Sequence, residues 1–418
     1  MTSDTSPEFK TSECQEFCCR VADGTHDSPK ETKVGKKLVT SKNVKGGRLE
    51  LDSAYLISAE DFYSINKRSK VDQWDLLLTM IGTVGEVCLV AEPKPNFAIK
   101  NVGLLKCGDE LRAKWLYYFL SSPQGQTLIE ERKKGSTQQY ISLTDLRKLP
   151  ISYPEDKRVM RSIVESLDVL DNRIALLRET NLTLEAMAQA LFKSWFVDFD
   201  PVRSKSEGNL PEGMDEETAA LFPNSFEQSD QGEIPEGWAS NVIKELLSRP
   251  TISKRFTKSQ VLTYGETPVY EQGASVLLGY HNDEPTFKAS PENPMFIFGD
   301  HTCVTKLSCQ PFDISQNVIL LKGSIRNTIW TYYAIHGKQK FEEYRRHWME
   351  LIVKNVVVPP IAICNHFAEI VLPLQLSIEA NEKAFQTLSD LRDTLLPRLI
   401  SGQLRLPDAE EKIEAATA

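Results

Sequence analysis

Apolar residues recur in alternating steps of four and three positions along the stretch from Ile163 to Trp195. This heptad spacing is typical of a long helix that packs along another helix. The pattern predicts a helix from about Glu155 to Val197, which would be roughly 60 Å long. Pro154 before acidic residues favours a helix start there, and Asp200-Pro201 marks its end. The seam consists of Ile163, Leu167, Leu170, Ile174, Leu177, Asn181, Leu184, Ala188, Leu191 and Trp195.

A second heptad seam lies near the C-terminus, although Pro373 interrupts its start. We expect it to end at Pro397 and Ser401-Gly402, where Gly402 is suited to a C-cap. Its members are Leu374, Ile378, Asn381, Phe385, Leu388, Arg392, Leu395 and Leu399.

The two seams superpose, to within one residue, at an offset of 200 residues. The matched pairs are Leu170 and Ile370, Ile174 and Leu374, Asn181 and Asn381, Leu191 and Leu391, and Trp195 and Leu395. A buried asparagine lowers stability but fixes register, so its presence in both seams favours helices that pair with each other. Surface asparagines on two unrelated amphipathic helices are the alternative.

Each long helix follows a strand-rich segment. The aliphatic and β-branched runs are Leu76–Ile81, Val87–Val90, Val318–Leu321 and Val353–Val358, and both segments lead an apolar run into a glycine turn, at Met80–Gly85 and Phe296–Thr302. The predicted fold class is α+β, with two α+β domains separated by two long antiparallel helices that form a coiled coil, a pseudo-two-fold tandem repeat. The predicted boundaries are 1–154 for the first domain, 155–199 for the central helix, 200–236 for an acidic linker, 237–362 for the second domain, 363–405 for the C-terminal helix and 406–418 for a polar tail.

Composition places the chain among ordinary globular proteins. It has 418 residues, of which 41% are hydrophobic and 26% charged. It contains no uninterrupted apolar run of the ~18 residues that a membrane helix needs, and its N-terminus is polar, so we expect a cytoplasmic protein without a membrane partner. The eight cysteines form no C-x-x-C pair, and we interpret them as reduced thiols.

The net charge of −9 is concentrated in one segment. Residues 200–236 carry ten acids against two bases, whereas residues 30–70 carry ten bases against five acids. A locally basic face is compatible with DNA contact, because the local field decides binding. An ordinary solvated surface fits the same distribution.

Catalytic signatures are missing from the sequence. It has no P-loop, no dinucleotide fingerprint, no Asn/Asp-Pro-Pro-aromatic tetrapeptide of amino-methyltransferases and no H-E-x-x-H motif. The acids around Pro407-Asp408 and Glu410-Glu411-Lys412 lie too close together in a polar tail to form a nuclease metal site. We therefore expect no catalytic residue, no metal site and no cofactor in this chain.

Several motifs resemble the specificity (S) subunits of type I restriction–modification systems. The central motif is Leu182–Val202, the start of the second domain is Gly232–Trp238, and the C-terminal motif is Leu391–Gly402. Weaker similarities to the target recognition domains of that family lie in Arg20–Pro29 and Lys134–Ile141. The resemblance covers roughly residues 20–407. It departs at the N-terminus, which lacks the Gly-x-Ile-Pro-x-Gly-Trp motif that precedes the second domain.

The resemblance implies a non-catalytic, DNA-binding subunit with two target recognition domains, each reading one half of a bipartite sequence in double-stranded DNA. Two modification subunits, which carry adenine methylation, would dock on the helices, and restriction subunits would add translocation and cleavage. Because the two domains differ in sequence, the site should be asymmetric. A standalone nuclease or DNA methyltransferase with unrecognised motifs is one alternative, and a coiled-coil scaffold that does not bind DNA is another.

Candidate DNA contacts are Arg, Lys, Asn, Gln and small hydroxyl side chains in polar loops. In the first domain they are Lys133, Lys134, Ser136, Gln138, Gln139 and Tyr140, then Thr25, His26, Lys67, Arg68 and Lys70. In the second domain they are Arg345, Arg346 and His347, then His301, Lys254 and Arg255. Solvated loops, charge runs and structural turns are the alternatives. For Arg345 and Arg346 the alternative is a helix surface that pairs with Glu342 and Glu343.

The central helix carries more large side chains than one seam can bury. Its surplus face, which comprises Leu191, Phe192, Trp195 and Phe196, is a candidate docking site for a modification subunit. Core packing within the chain is the alternative.

Overall fold

The computed structural model describes residues 8–230, 232–273, 275–404 and 406–417. Within it the chain divides into two compact units. The first unit contains residues up to 173 and those from 388 onward, and the second contains residues 174–387. We call residues 8–156 the first domain and residues 239–360 the second domain.

The first domain alternates short strands with helices. Its strands are β1 (Phe9–Glu13), β2 (Arg20–Asp23), β3 (Lys36–Val39), β4 (Val44–Lys45), β5 (Arg48–Leu49), β6 (Tyr55–Ile57), β7 (Asp75–Thr79), β8 (Val87–Leu89), β9 (Phe97–Ile99), β10 (Val102–Lys106) and β11 (Pro150–Pro154). Its helices are α1 (Cys14–Phe17), α2 (Ala59–Ser69), α3 (Glu110–Ser121), α4 (Pro123–Glu130) and α5 (Leu143–Arg147).

The main sheet of the first domain has the strand order β2-β10-β7-β8, and each neighbouring pair is antiparallel. Its central strands are apolar on both faces, because Leu76, Leu77, Leu78 and Leu104 are all fully buried. A second sheet has the order β6-β3-β9, and β1 pairs with β11. The strands enclose a core that holds the loops at the sheet ends in place.

A long helix, α6 (Lys157–Phe196), follows the first domain, and α7 (Asp200–Ser206), α8 (Glu216–Ala220), β12 (Phe226–Ser229) and β13 (Gly232–Pro235) come next. The strands of the second domain are β14 (Ala239–Val242), β15 (Leu247–Ser248), β16 (Thr267–Tyr270), β17 (Leu277–His281), β18 (Met295–Gly299), β19 (Thr305–Ser308), β20 (Asp313–Ile314), β21 (Val318–Gly323) and β22 (Asn355–Val358). Its helices are α9 (Ile243–Leu246), α10 (Thr328–Ile335) and α11 (Trp348–Ile352), after which come α12 (Ile361–Ile400) and α13 (Leu406–Thr417).

The second domain repeats the connectivity of the first. Its main sheet has the order β15-β21-β18-β19, its second sheet β17-β16-β20, and β14 pairs with β22. A short sequence motif, NVxLLK, is repeated at equivalent positions of the two domains, as NVGLLK at residues 101–106 and NVILLK at residues 317–322. Asn101 and Asn317 adopt the left-handed conformation, with φ of 55° and 60°, directly before β10 and β21. The tandem organisation that the sequence predicts is thus confirmed.

Both long helices have 40 residues. Most of the predicted seam of α6 is buried, from Ile163 to Trp195, whereas Asn181, Leu184 and Leu191 are partly buried. Within the second unit, Asn381 Nδ2 donates to Asn181 Oδ1 at 2.8 Å, and Asn181 Nδ2 donates to the Ile378 carbonyl at 3.1 Å. Phe192 of α6 packs against Phe367 of α12, so the two helices run antiparallel there. The predicted asparagine pair is confirmed.

The start of the second seam differs from the prediction. Pro373 does not interrupt the helix, because α12 begins at Ile361 and continues through that residue. Pro373 lies on the exposed side, while Val371 and Gln375 beside it are buried. Ile370, which the offset matched to buried Leu170, is 39% exposed. Gly402 has a φ of 72° after the last helical turn, as the predicted C-cap requires.

Two segments that the sequence marked as polar are folded. The acidic stretch 200–236 contributes to the core of the second unit, where Val202 and Phe222 lie with Trp238. The predicted polar tail forms α13, in which Ala409 and Ile413 are buried. Charge counts conceal such segments because a few apolar residues suffice to anchor them.

Among the described helices, α12 is the one with the length and apolar composition that a membrane span would need. Its apolar residues Ile363, Phe367 and Val371 are fully buried in the core of the second unit. Core helices of this kind pass the same test.

Candidate nucleic-acid interface

Loops from separate parts of the first domain meet at one end of its main sheet. Asp23, the last residue of β2, pairs with Gly103, and Thr79, the last residue of β7, pairs with Val102, the first residue of β10. The register therefore gathers the loop after β2, the turn after β7 and the turn before β10 at the same end. We call this surface, made of residues 24–26, 80–83, 101 and 134–140, the first sheet end.

The loop 134–140 is a small hairpin that is fixed by its backbone. Lys134 and Tyr140 exchange two backbone hydrogen bonds of 2.8 and 2.9 Å, and the Gly82 N–H donates to the Gln139 carbonyl at 3.2 Å. Gly135 has a φ of 91°, and a Cβ atom there would lie 2.4 Å from the Gln138 carbonyl oxygen. The chain therefore needs glycine at this turn, and the hairpin presents its side chains outward.

The two lysines of this hairpin region are already paired. Lys133 forms an ion pair with Glu130, and Lys134 Nζ lies 2.6 Å from Asp145. The hydrogen bond from Lys134 lowers the pKa of the Asp145 carboxyl, with a further contribution from Ser142. Residues 134–140 are all exposed. Because both lysines are paired with acids, the hairpin presents polar side chains with little net charge.

A second group at the first sheet end surrounds Asp23. His26 Nε2 lies 3.0 Å from the Asp23 carboxylate and its Nδ1 lies 2.9 Å from Asn101 Oδ1. Arg68 Nη2 contacts the same carboxylate at 3.1 Å and donates to the Gly24 carbonyl at 2.8 Å. Thr25 forms a parallel β-bridge with Lys100 beside them. These contacts give His26 and Arg68 a role in holding the loop.

Two neighbouring lysines are placed differently. Lys67 is exposed on the last turn of α2. Lys70 pairs with Asp72 at 2.6 Å, next to Asp75, the first residue of β7. It therefore lies at the opposite end of the sheet from Gln138.

The second domain builds the same arrangement from other residues. The turn after β18 is tied to the turn before β21 by a hydrogen bond from the Asp300 N–H to the Asn317 carbonyl, at 3.1 Å. The loop 338–347 packs on this turn, since the His347 N–H donates to the Asp300 carbonyl at 2.8 Å. His301 stacks on Tyr344 with ring centroids 4.8 Å apart. We call residues 254–255, 299–302, 317 and 338–347 the second sheet end.

The three consecutive basic residues of this loop have different surroundings. Arg345 is surrounded by the carboxylates of Glu342, Glu343 and Glu350. Arg346 is 76% exposed and lies 3.7 Å from Asp300. His347 is fully buried and contacts Glu350 and the Glu343 carbonyl, so its assignment as a DNA contact is wrong.

Lys254 and Arg255 precede Phe256, which forms a parallel β-bridge with Ser315 as Thr25 does with Lys100 in the first domain. Arg255 Nη1 donates to the carbonyls of Ser315 and Val318, at 2.6 and 2.9 Å, and partial burial lowers the pKa of its guanidinium. Lys254 lies over the Phe256 ring, 4.3 Å from its centroid. Arg255 thus holds the turn before β21, while Lys254 remains exposed.

The aromatic side chains of α6 do not form a docking face. Trp195 and Phe196 are each 5% exposed, and Leu191 and Phe192 pack against the same core, with Trp330 and Phe367. Core packing thus accounts for Trp195 and Phe196, and Leu191 and Phe192 are partly buried against the same core.

Asn101 and Asn317, which help to organise the turns at the two sheet ends, are not among the residues predicted from the sequence. The repeated NVxLLK motif is the signal that could have identified both asparagines. In the described part of the chain, no group of three or more His, Cys, Asp or Glu side chains is arranged to hold a metal ion.

Taken together, the repeated α+β domain, the paired helices and the unlike polar sheet ends define a tandem-repeat binding protein. Residues 9–186 match the family model described as the type I restriction modification DNA specificity domain. The chain is 23% identical to the type I restriction enzyme MjaIX specificity subunit of Methanocaldococcus jannaschii. The alignment spans 358 residues, 80% of this chain and 78% of that protein. It is 41% identical to the HindI specificity subunit of Haemophilus influenzae over 109 residues, 26% of this chain and 22% of that protein.

A solved structure shows the same fold. The S subunit of a type I restriction–modification system from M. genitalium aligns over 96% of this chain and 98% of its own length, with a TM-score of 0.56 and 18% identity. The segment 9–186 therefore carries the type I restriction modification DNA specificity domain, and the whole chain shares the fold of that S subunit. Both curated relatives are named specificity subunits of type I restriction enzymes.

Proposed function

We propose that the first and second sheet ends are the surfaces that contact duplex DNA, and that each reads one half of an asymmetric bipartite sequence. The observation that carries this proposal is their equivalence. The same turns of the same sheet gather in both domains, yet the side chains presented there differ, with Gln138 and Gln139 in one and Tyr344 and Arg346 in the other. Equivalent frames with unlike side chains suit two readers of unlike half-sites.

The partners proposed are two modification subunits and restriction subunits, which would act where this chain binds. The helices offer positions outside their shared seam for such contacts. On the second-unit part of α6, Leu176, Leu182 and Met187 are 52%, 73% and 53% exposed. These residues replace the buried aromatic side chains as the proposed contact for a modification subunit.

The test uses the complex of this chain with its cognate modification subunit. Sequencing of methylated DNA from cells that express the complex identifies the bipartite motif, and gel-shift titrations then measure affinity for the motif and for versions with one half scrambled. We expect either scrambled half to weaken binding and all affinities to fall with added salt.

Variants of the first sheet end assign a half-site to a domain. The double substitution Gln138→Ala and Gln139→Ala should weaken binding through one half only, so scrambling that half should have little further effect. Gln15→Ala is the matched control, because Gln15 is exposed on α1 and lies away from the sheet end. An equal loss on motif and on unrelated DNA would contradict base reading at this surface.

A further inference from the structure

The tips of the two sheet ends differ in the kind of hydrogen-bonding group that they present. We call residues 136–139 the first tip and residues 342–346 the second tip. The first tip has two hydroxyls and two amides, and it has no ionised side chain. The second tip has two carboxylates, a tyrosine and two guanidinium groups. Side chains of these kinds favour different base pairs in the major groove.

The amides of the first tip are free to bind a ligand. Within the described part of the chain, the side chains of Gln138 and Gln139 form no hydrogen bond, and both residues are exposed. Their backbone is held by the hydrogen bonds of the hairpin, so little backbone order has to be gained on binding. A glutamine amide combines one acceptor and two donors, which match N6 and N7 of adenine.

The second tip contains one guanidinium that is available and one that is not. Arg345 is neutralised by the carboxylates of Glu342, Glu343 and Glu350. Arg346 lies farther from its acidic neighbour, with its Nε 3.7 Å from Asp300 Oδ2, and most of its side chain is exposed. Because the Asp300 side chain is 13% exposed and its Oδ1 accepts from the Trp348 N–H, the carboxylate is fixed and can orient Arg346.

A guanidinium suits guanine, since two of its N–H groups can donate to O6 and N7 of that base. Glu342 and Glu343 add acceptors beside it, each with 71% of the side chain exposed, and carboxylates accept from N4 of cytosine. Both members of a G·C pair thus have suitable partners at this tip. Carboxylates are unsuited to phosphates, which argues against a second tip that only follows the DNA backbone.

We propose that the first tip reads an A·T pair through Gln138 or Gln139, and that the second tip reads a G·C pair through Arg346. This inference rests on the proposed function, since it assigns base types to the two half-sites. It concerns bases read by hydrogen bonds to this chain, whichever base a partner subunit modifies.

The experiment measures how each variant changes base preference. The complex with the cognate modification subunit is titrated with duplexes in which every base pair of the motif is replaced in turn. For Gln138→Ala and Gln139→Ala, tested singly, we expect one of them to lose roughly ten- to a hundredfold in affinity for the motif and to become indifferent at one A·T pair of one half. For Arg346→Ala we expect the same loss and indifference at a G·C pair of the other half.

Two further variants separate base reading from charge. Arg346→Lys keeps the charge but loses the two-pronged geometry, so it should lose discrimination at the G·C pair while it keeps most of the salt dependence. Lys383→Ala, which removes an exposed cation from α12, is the matched control and should leave base preference unchanged. Circular dichroism confirms that each variant is folded.

Each outcome supports or overturns the inference. The inference is overturned if both glutamine variants lose base preference at a G·C pair, or if Arg346→Ala loses it at an A·T pair. It is also overturned if the variants lose affinity equally for all duplexes. In those cases the wild-type complex would still distinguish motif from scrambled halves, and the proposed function would stand. A wild-type complex that does not distinguish them would instead refute the proposed function itself.

Discussion

Equivalent helices attach the two domains to the long helix α6 through different chemistry. In the first unit, α3 contacts α6 through Lys114, whose Nζ lies 2.7 Å from Asp168, and through Tyr118, whose hydroxyl donates to the same carboxylate at 2.8 Å. In the second unit, α10 contacts α6 through rings, with Trp330 and Tyr333 at centroid distances of 6.3 and 6.2 Å from Phe192.

This difference shows that topology does not dictate how a domain is anchored. Burial of rings is favourable in proportion to apolar area and depends little on salt, whereas a charge network must offset the desolvation of its members. Burial lowers the pKa of Lys114, but the hydrogen bonds that its ammonium donates to Asp168 and Glu110 outweigh this effect and leave the pKa raised. Burial together with the nearby acids raises the pKa of Tyr118. The stability of the first contact, between α3 and α6, should therefore depend on ionic strength. The stability of the second contact, between α10 and α6, should depend on the volume of the side chains packed there.

The largest effect is expected from Trp330→Ala. Trp330 is fully buried and packs against Phe192 and Phe196, so its truncation removes apolar contacts and leaves a cavity. We expect the free energy of unfolding of the second unit to fall by about 3–5 kcal/mol. Urea denaturation gives the free energy, and hydrogen exchange measured by mass spectrometry shows whether α10 and α6 lose protection.

Tyr344→Ala is the control for this variant, because Tyr344 is an aromatic residue of the same unit that is 73% exposed. Its stability should change by no more than about 0.5 kcal/mol. Equal losses in the two variants would refute the role of the buried cluster.

A smaller effect is expected from Asp168→Asn in the first unit. The substitution keeps the shape of the side chain but removes the charge that Lys114 and Tyr118 both contact. We expect a loss of about 1–2 kcal/mol at low ionic strength, and a smaller loss at high salt, where the wild-type network is screened. Exchange protection of α3, measured at both salt concentrations, checks this prediction.

Glu110→Gln is the matched control, since Glu110 also pairs with Lys114 but its side chain is 49% exposed. An exposed pair of this kind contributes about 0–1 kcal/mol, so the control should lose less stability than Asp168→Asn. If the loss in Asp168→Asn did not depend on salt, the contrast between the two contacts would be wrong.

The sequence predicts the features that repeat with a fixed period. The seam of α6 and the pairing of Asn181 with Asn381 follow from heptad spacing, which is a local signal. The continuation of α12 through Pro373 could not be predicted in this way, because a proline inside a helix is unfavourable by itself. It is tolerated here where the buried residues Val371 and Gln375 anchor the helix on either side.

The candidate site was predictable in part for a similar reason. Gln138 and Gln139 stand out in a polar loop, and the structure places them beside Gly82, which the sequence also marks as a turn. Burial of His347 and of Trp195 depends on partners from distant segments, such as Asp300 and His366, that no local pattern contains. An exposed helical face and a face that packs on a domain have the same periodicity, so composition alone could not separate them.

The smallest effect is a pH dependence of the second contact, which contains a histidine. His336 Nδ1 lies 2.8 Å from the Thr305 hydroxyl, and its Nε2 lies 3.3 Å from Gln189 of α6. Burial lowers the pKa of His336 below its usual 6.5, although nearby Glu185 opposes the shift. The folded state therefore favours the neutral imidazole. Its contribution is fully present above pH 6.5 and is lost as the pH falls towards the lowered pKa.

The loss on acidification cannot exceed about 1.4 kcal/mol for each unit by which the pKa is lowered. Urea denaturation between pH 7.5 and 5.5, on the order of one unit to either side of the usual histidine pKa, measures it. His336→Gln keeps hydrogen-bonding capacity without titrating, so its stability should vary less over this range. The first contact contains no histidine, because His26, the one histidine of the first unit, lies at the sheet end. Protection of α3 should then stay constant while that of α10 declines, and a parallel decline in both helices would show that the pH dependence arises elsewhere.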